Sequence, residues 1–465
     1  MENAINPLDG RYFEKTRELA PYFSEEALMK YRVMVEGEYL IALSLLGKTA
    51  LRKFTPAEVK IVRSIYEKFN TASYEKIKKF EETTNHDLKA VEYFIKDSLA
   101  ETSLKDSIEW VHFALTSEDT NNIAYALILT EAMENVLIPK LQEIYKELTR
   151  LAKVYKDIPM LSRTHGQSAS PTTFGKEMQV FSQRLSRGLD HLMGQQTLVK
   201  LNGASGNYNA HIVAYPTVDW LKFSENFIAG LNKKRLLSLE LNSITTQIEP
   251  HDSYIELFDR IKRFNNFLID FNQDMWRYIS DGWVGQIPKA GETGSSTMPH
   301  KINPIDFENS EGNLGIANAL FEFFARKLPI SRLQRDLSDS TVERAFGTAF
   351  GHSYLAYTSL LKGLGKIKVN EVKMLEDLNK HPEVITEAIQ TILRREGVSM
   401  PYEKLKELSR GKETTLADIH KFINALDVSE KIKKELLKIT PENYTGLASK
   451  LVDLSSTWDV DELAG

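Results

Sequence analysis

Residues 254–280 read YIELFDRIKRFNNFLIDFNQDMWRYIS. Ile255, Leu257, Phe258, Ile261, Phe264, Phe267, Leu268, Ile269, Phe271, Met275 and Ile279 distribute apolar side chains around nearly the whole circumference of a helix. A helix apolar on all sides is expected to be buried on all sides, at the centre of a bundle. Residues 313–328, NLGIANALFEFFARKL, give the same reading. Leu137, Leu141, Ile144, Leu148, Leu151 and Tyr155 step by four and three, as do Met178, Phe181, Leu185, Leu189 and Leu192. That is the spacing of long packed helices. Alternating strand patterns are scarce. The pattern predicts an all-α protein with a central long-helix bundle.

At 465 residues the chain exceeds one ordinary core, so more than one domain is expected. Breaks at Pro21, Gly47, Pro56 and Asn70 mark an N-terminal helical domain over 1–106. The long helices fill 107–361. GLGKIKVN at 363–370 then opens a C-terminal helical domain over 362–465. A net charge of −5, with acids and bases interspersed, disfavours a nucleic-acid partner. The chain has no cysteine, which excludes disulfides, thiolate nucleophiles and cysteine-held zinc. No apolar run reaches membrane-spanning length, so no membrane partner is expected. The first residues, MENAINPLDGRYFEK, have neither a basic nor an apolar leader pattern, so a cytoplasmic location is expected. Cofactor fingerprints are missing and the histidines lack metal-ligand spacing; neither a cofactor nor a metal is expected.

One stretch interrupts the helices without core-forming residues: GETGSSTMPHKINP, 291–304. Asn303 suits a helix N-cap, Pro304 the first helical position, and Asp306 the third. The stretch therefore leads into a helix N-terminus, where free N–H groups, the helix dipole and Lys301 favour an anion. Ser295 and Ser296 add hydroxyls. Three other segments concentrate polar chemistry: Thr84–Asp87, with Trp110–Asp119 after it; Ser162–Gln167, around His165; and Arg332–Arg344. Capping and charged turns account for each as readily as a ligand does.

Taken together the segments resemble the fumarase/aspartase superfamily. GSSTMPHKINP is similar to its signature loop. The MPHK histidine, THGQ at 164–167, DSTVER at 339–344, PLDGRY at 7–12, NHD at 85–87 and IDFEN at 305–309 are similar to the adenylosuccinate lyase family, in its longer bacterial form. The resemblance spans residues 7 to about 350 and implies β-elimination of fumarate from small nucleotide substrates, by a homotetramer whose active sites are shared between subunits. It implies Ser295 as base and His165 as acid, with His86, Lys301 and Glu308 completing the catalytic set and Glu308 polarising His165. It implies that Arg11, Tyr12, Arg335, Ser340 and Arg344 hold the phosphate. Thr116, Ser117, Lys301 and Asn303 would hold a succinyl carboxylate, with Gln247 against the succinyl part. Asn85, His86, Asp87, Asn309 and Thr341 complete the substrate-binding set.

One residue departs from the pattern. Ser168 follows THGQ where relatives carry proline, and a slightly looser turn after His165 is expected. Argininosuccinate lyase, fumarase, aspartase and a related cycloisomerase are the neighbouring alternatives, and a helical interaction protein is the alternative from another class.

Overall fold

The computed structural model describes residues 4–232, 235–288, 291, 298, 300–409 and 414–454. The elements that bear on function are, in chain order, helices α1 (Glu25–Leu46), α2 (Asp87–Ala100), α3 (Ser117–Ala132) and α4 (Ile138–Val154), strands β1 (Pro159–Thr164) and β2 (Gln167–Thr173), helix α5 (Phe174–Met193), strands β3 (Gln196–Val199) and β4 (Ser238–Leu241), helix α6 (Asp252–Ser280), strand β5 (Val284–Gln286), helices α7 (Ile305–Lys327), α8 (Ser338–Glu343) and α9 (Phe346–Leu364), and strand β6 (Ile367–Val369). The fold is mostly helical, as the apolar spacing predicts. The strands form three two-stranded pairs: β1–β2 and β5–β6 antiparallel, β3–β4 parallel.

The chain divides into two compact units. The first comprises Met1–Leu141, Gly188–Asn266 and Gly312–Thr358; the second comprises Gln142–Arg187, Phe267–Glu311 and Ser359–Gly465.

In the first unit the helix buried on every side is α3, not α6. Glu118 through Thr130 are all buried, including Asp119, Thr120, Asn121 and Asn122. Their polar groups are satisfied inside the unit: Thr120 donates to Glu36 at 2.6 Å, and Asn122 donates to the Lys200 carbonyl at 3.1 Å. Helix α6 instead keeps an exposed polar stripe through Glu256, Asp259, Arg263, Asn266, Asp270 and Gln273. These residues recur at three and four, so they share one face. The apolar count along α6 was high, but its polar residues fall in register. Phe258 packs on Phe321, Phe346 and Phe324 with ring centroids 5.1–5.7 Å apart. Such ring pairs add about 1 kcal/mol each beyond area burial.

Helix α1 starts at Ser24, whose side chain accepts from the Ala27 N–H at 3.1 Å, and ends at Gly47 with φ +64°. Both are the expected stop and start signals. In the second unit Phe181 meets Phe271 edge-on at 5.1 Å, and the Trp283 indole donates to Asp377 at 2.9 Å. Helix α7 begins at Ile305, one residue after the position expected from Asn303-Pro304, and the Pro304 carbonyl accepts from the Glu308 N–H.

Candidate active site

The first turn of α3 joins most of the site residues that lie in the first unit. Thr116 and Ser117 begin the helix. The Asp119 carboxylate accepts from the Thr116 N–H at 2.9 Å, which fixes the turn. Glu118, next along, pairs with Arg335 at 2.9 Å. Arg335 also pairs with Asp339, at 3.2 Å. Asn121 accepts from the Arg32 Nε at 2.9 Å, and the buried Arg32 guanidinium donates to Asp87 at 2.9 Å. Arg344 reaches the same Asp87 oxygen at 2.9 Å. One helical turn thus ties the hydroxyls of Thr116 and Ser117 to Arg335, and through Arg32 and Asp87 to Arg344. The two arginines are held by carboxylates with their charge oriented, which suits them to a phosphate.

Asn85 ends the preceding helix with φ +48°, and His86 caps α2. The His86 Nδ1 accepts from the Lys89 N–H at 3.2 Å. That bond fixes the ring and leaves Nε2 as its outward nitrogen. Burial pushes the Asp87 carboxyl up, but Arg32, the Leu88 N–H and Arg344 outweigh it and hold it at about 2. Arg344 also lines a cavity of about 270 Å³ with Asn6, Asp9 and Phe13, which sets the 6–13 segment beside it. Within that segment the Arg11 guanidinium stacks 5.7 Å from the Tyr12 ring.

Behind Arg335 lies a buried group of Glu118, His251 and Glu343, whose ligand-type atoms fall within 4.8 Å of one another. Arg335 already neutralises Glu118, and His251 Nε2 contacts Glu343 at 3.2 Å. Burial, then the nearby Glu343, raise the Glu118 carboxyl above the ordinary range. Burial lowers the His251 imidazole, but the bond and charge of Glu343, with Glu118 and Glu249 nearby, together outweigh it and the net shift is upward. Within the group, Glu118 bonds Arg335 and His251 bonds Glu343.

Arg32 is 1% exposed, and its loss leaves Arg344 as the remaining guanidinium on Asp87. Arg32→Met is expected to lower unfolding free energy by about 3 kcal/mol at pH 7, measured by urea denaturation. The sign follows from Asp87. Its folded pKa of about 2 lies below the free value of 3.8. Its stabilisation is therefore complete above pH 3.8 and fades as pH falls through 2, so the difference between variant and wild type shrinks over that range.

The second unit carries His165, Lys301, Asn303, Glu308 and Asn309, whereas Gln247, Ser340 and Thr341 belong to the first. THGQ closes a β-hairpin. Thr164 pairs with Gln167, and His165 and Gly166 are its two turn residues, with φ +53° and +75°. Positive φ at both positions is the type I′ turn that matches strand twist. Arg163 through Gln167 are exposed. Among the described residues no hydrogen bond joins His165 to Glu308, whose side chain accepts from the Trp276 indole at 3.2 Å. Ser168 stays paired with Arg163, and its hydroxyl contacts His381 Nδ1 at 3.1 Å. Ser170 bonds Glu387. The C-terminal segment thereby holds the root of the hairpin. Asn309 accepts from Ser359 at 2.8 Å, and Gln286 donates to the Ile302 carbonyl at 3.0 Å, beside Lys301 and Asn303. Ser295 lies outside the described residues, as do the rest of 292–297 and residue 299.

Known proteins supply a second line of comparison. Residues 10–317 match the protein family described as Lyase, and residues 331–445 match the one described as Adenylosuccinate lyase C-terminal. The adenylosuccinate lyase of Haemophilus influenzae is 50% identical over 452 residues, covering 97% of this chain and 98% of that protein. The chain belongs to the adenylosuccinate lyase family. That of Legionella pneumophila is also 50% identical, over 454 residues, covering 97% and 98%. In fold the chain resembles the 3-carboxy-cis,cis-muconate lactonizing enzyme of Pseudomonas putida, with a TM-score of 0.73 at 20% identity, covering 96% of this chain and 98% of that one. As a member of this family the chain is a lyase. No helix is long and apolar enough to cross a membrane among the described residues.

Arg32, Lys200 and His251 lie outside every segment that the sequence reading singled out, whereas Glu118, Asp119 and Glu343 lie inside such segments, read there as capping or charged-turn residues. Lys200 carried a usable signal. It sits in LVKLNGASG, a lysine between apolar neighbours just before a glycine-rich turn. A charge in that setting needs a buried partner.

Proposed function

We propose that this chain eliminates fumarate from adenylosuccinate to give AMP, and from the succinyl-carboxamide ribotide SAICAR to give AICAR. Ser295 takes a proton from the succinyl carbon next to a carboxylate. The electron pair left there forms the new double bond as the carbon–nitrogen bond breaks, and His165 protonates the departing nitrogen. Removing that proton loads negative charge on the carboxylate, and preorganised donors must meet it. Lys301 and Asn303 stand just before the N-terminus of α7, where helix N–H groups add to the positive field. Lys301 and backbone donors also stabilise the Ser295 alkoxide, since a serine hydroxyl is a weak base otherwise. The phosphate is held by Arg335 and Arg344, together with Arg11, Tyr12 and Ser340.

The observation that carries this reading is the first turn of α3. It begins with Thr116 and Ser117, the proposed carboxylate donors, and its Glu118 and Asn121 connect to Arg335 and, through Arg32 and Asp87, to Arg344, the proposed phosphate arginines. The relatives from Haemophilus influenzae and Legionella pneumophila are named adenylosuccinate lyases, and adenylosuccinate has a succinyl end and a phosphate end. The chain works as a homotetramer with sites shared between copies, in the cytoplasm. Support comes from the His165 turn, which is exposed in the single chain although proton transfer needs a site shielded from water. Support also comes from α7, where Gly312, Gly315, Ile316 and Phe323 form an exposed apolar stripe.

The test is an ultraviolet assay on purified protein. Loss of adenylosuccinate absorbance with stoichiometric fumarate is the expected result. No change, with turnover of another succinyl compound, moves the activity elsewhere in the superfamily.

A further inference from the structure

Asp119 and Lys200 form an ion pair with no solvent exposure on either side chain, Nζ to Oδ1 2.7 Å. Neither touches any position assigned to substrate except through the backbone. Asp119 Oδ1 also accepts from the Asn202 N–H at 3.0 Å, and both its oxygens are within reach of the Gly203 N–H, at 3.1 and 3.2 Å. Its Oδ2 accepts from Thr116 N–H. Lys200 Nζ donates in turn to the Gly203 carbonyl at 2.9 Å. One carboxylate therefore clamps two separate backbone segments: the start of α3 and the turn that follows β3.

That turn is itself fastened to a third segment. Asn202 Nδ2 donates to Thr245 Oγ1 at 2.9 Å, and Gln247 Nε2 donates to the Ala204 carbonyl at 3.1 Å. Gly206, with φ +80°, lies so close that an added Cβ would come 2.2 Å from the Thr245 carbonyl. The chain of contacts runs from Thr116 and Ser117, through Asp119 and the 200–206 turn, to Gln247.

We infer that the buried Asp119–Lys200 pair is a positioning device for the succinyl end of the substrate. It sets the spacing between the Thr116–Ser117 hydroxyls and the Gln247 side chain, and it leaves the phosphate arginines to the separate braces of Glu118 and Asp87. The inference rests on the proposed assignment of Thr116, Ser117 and Gln247 to the succinyl part. A misplacement of about 1 Å in such groups is enough to cost one to two orders of magnitude.

The experiment compares two product inhibitors, fumarate and AMP, against the forward reaction of Lys200→Met and Thr245→Val. Fumarate probes the succinyl end and AMP the nucleotide end. Lys200→Met is expected to weaken fumarate inhibition about tenfold and AMP inhibition less than about twofold. Thr245→Val removes the outer link without stranding a buried charge. It is expected to shift fumarate in the same direction by about threefold while melting like the wild type, and it decides the matter if Lys200→Met does not fold. Equal weakening of both inhibitors, or unchanged fumarate inhibition in Thr245→Val, overturns the positioning role alone. A wild type that releases no fumarate from adenylosuccinate overturns the parent reading and this one together.

Discussion

Ser295→Ala and His165→Asn are each expected to lower turnover of adenylosuccinate by about a thousandfold, with thermal unfolding unchanged. The loss follows from the proton ledger: one residue removes the proton and the other returns one, so neither substitution leaves a competent pair. Asparagine is the chosen replacement for His165 because that residue stands at φ +53°, a conformation asparagine tolerates. The hairpin then keeps its shape and only the acid is lost. The stronger prediction concerns mixtures. If sites are shared between copies, unfolding and refolding the two inactive variants together assembles some sites with an intact Ser295 from one chain and an intact His165 from another. Activity should return in the mixture and in neither parent. A mixture as inactive as its parents, with mixed tetramers verified by mass, would place both residues on one chain and end the shared-site proposal.

The helical class was legible because core packing imposes the 3.6-residue period on any long buried helix, and α4 and α5 wrote that period plainly. The position of the most buried helix was not. Helix α3 reads TSEDTNNIAYALILTEA from Thr116, and the six polar residues of its first two turns suggest a surface helix. Glu118 through Asn122 are nonetheless buried, with partners far along the chain: Glu36 for Thr120, Lys200 for Asp119, Arg32 for Asn121. Sequence periodicity reports local spacing and is silent on partners 80 residues away. Helix α6 erred in the opposite sense, since its apolar residues were counted without asking whether the polar ones line up. The residues proposed to face the ligand sit in short motifs, which keep their chemistry together in sequence. The buried group beside them gave no such signal, because Glu118, His251 and Glu343 meet only in three dimensions. Ser168 shows the same limit on a small scale. Its departure from proline suggested a loose turn, whereas His381, over two hundred residues later, gives its hydroxyl a partner.

Gly315→Lys should separate folding from assembly. Gly315 is exposed on α7, and a Cβ added there meets no atom of the chain within 4 Å. Lysine is also a better helix former than glycine by roughly 0.7 kcal/mol, so a single chain should become slightly more stable. The neighbouring Ile316 and Phe323 are 49% and 45% exposed, and with Gly312 they complete a stripe where a second helix could approach closely. In an assembled protein a lysine in that stripe would hold two helices apart and bury a charge without a partner. The expected result is a sedimentation profile shifted from tetramer to smaller species and turnover reduced to background, while the helical signal and melting of the single chain are retained. The loss of turnover follows because the exposed His165 turn then has no second chain to complete its site. Full activity in a variant that sediments as a monomer would show that one chain suffices, and the exposed stripe would need another occupant.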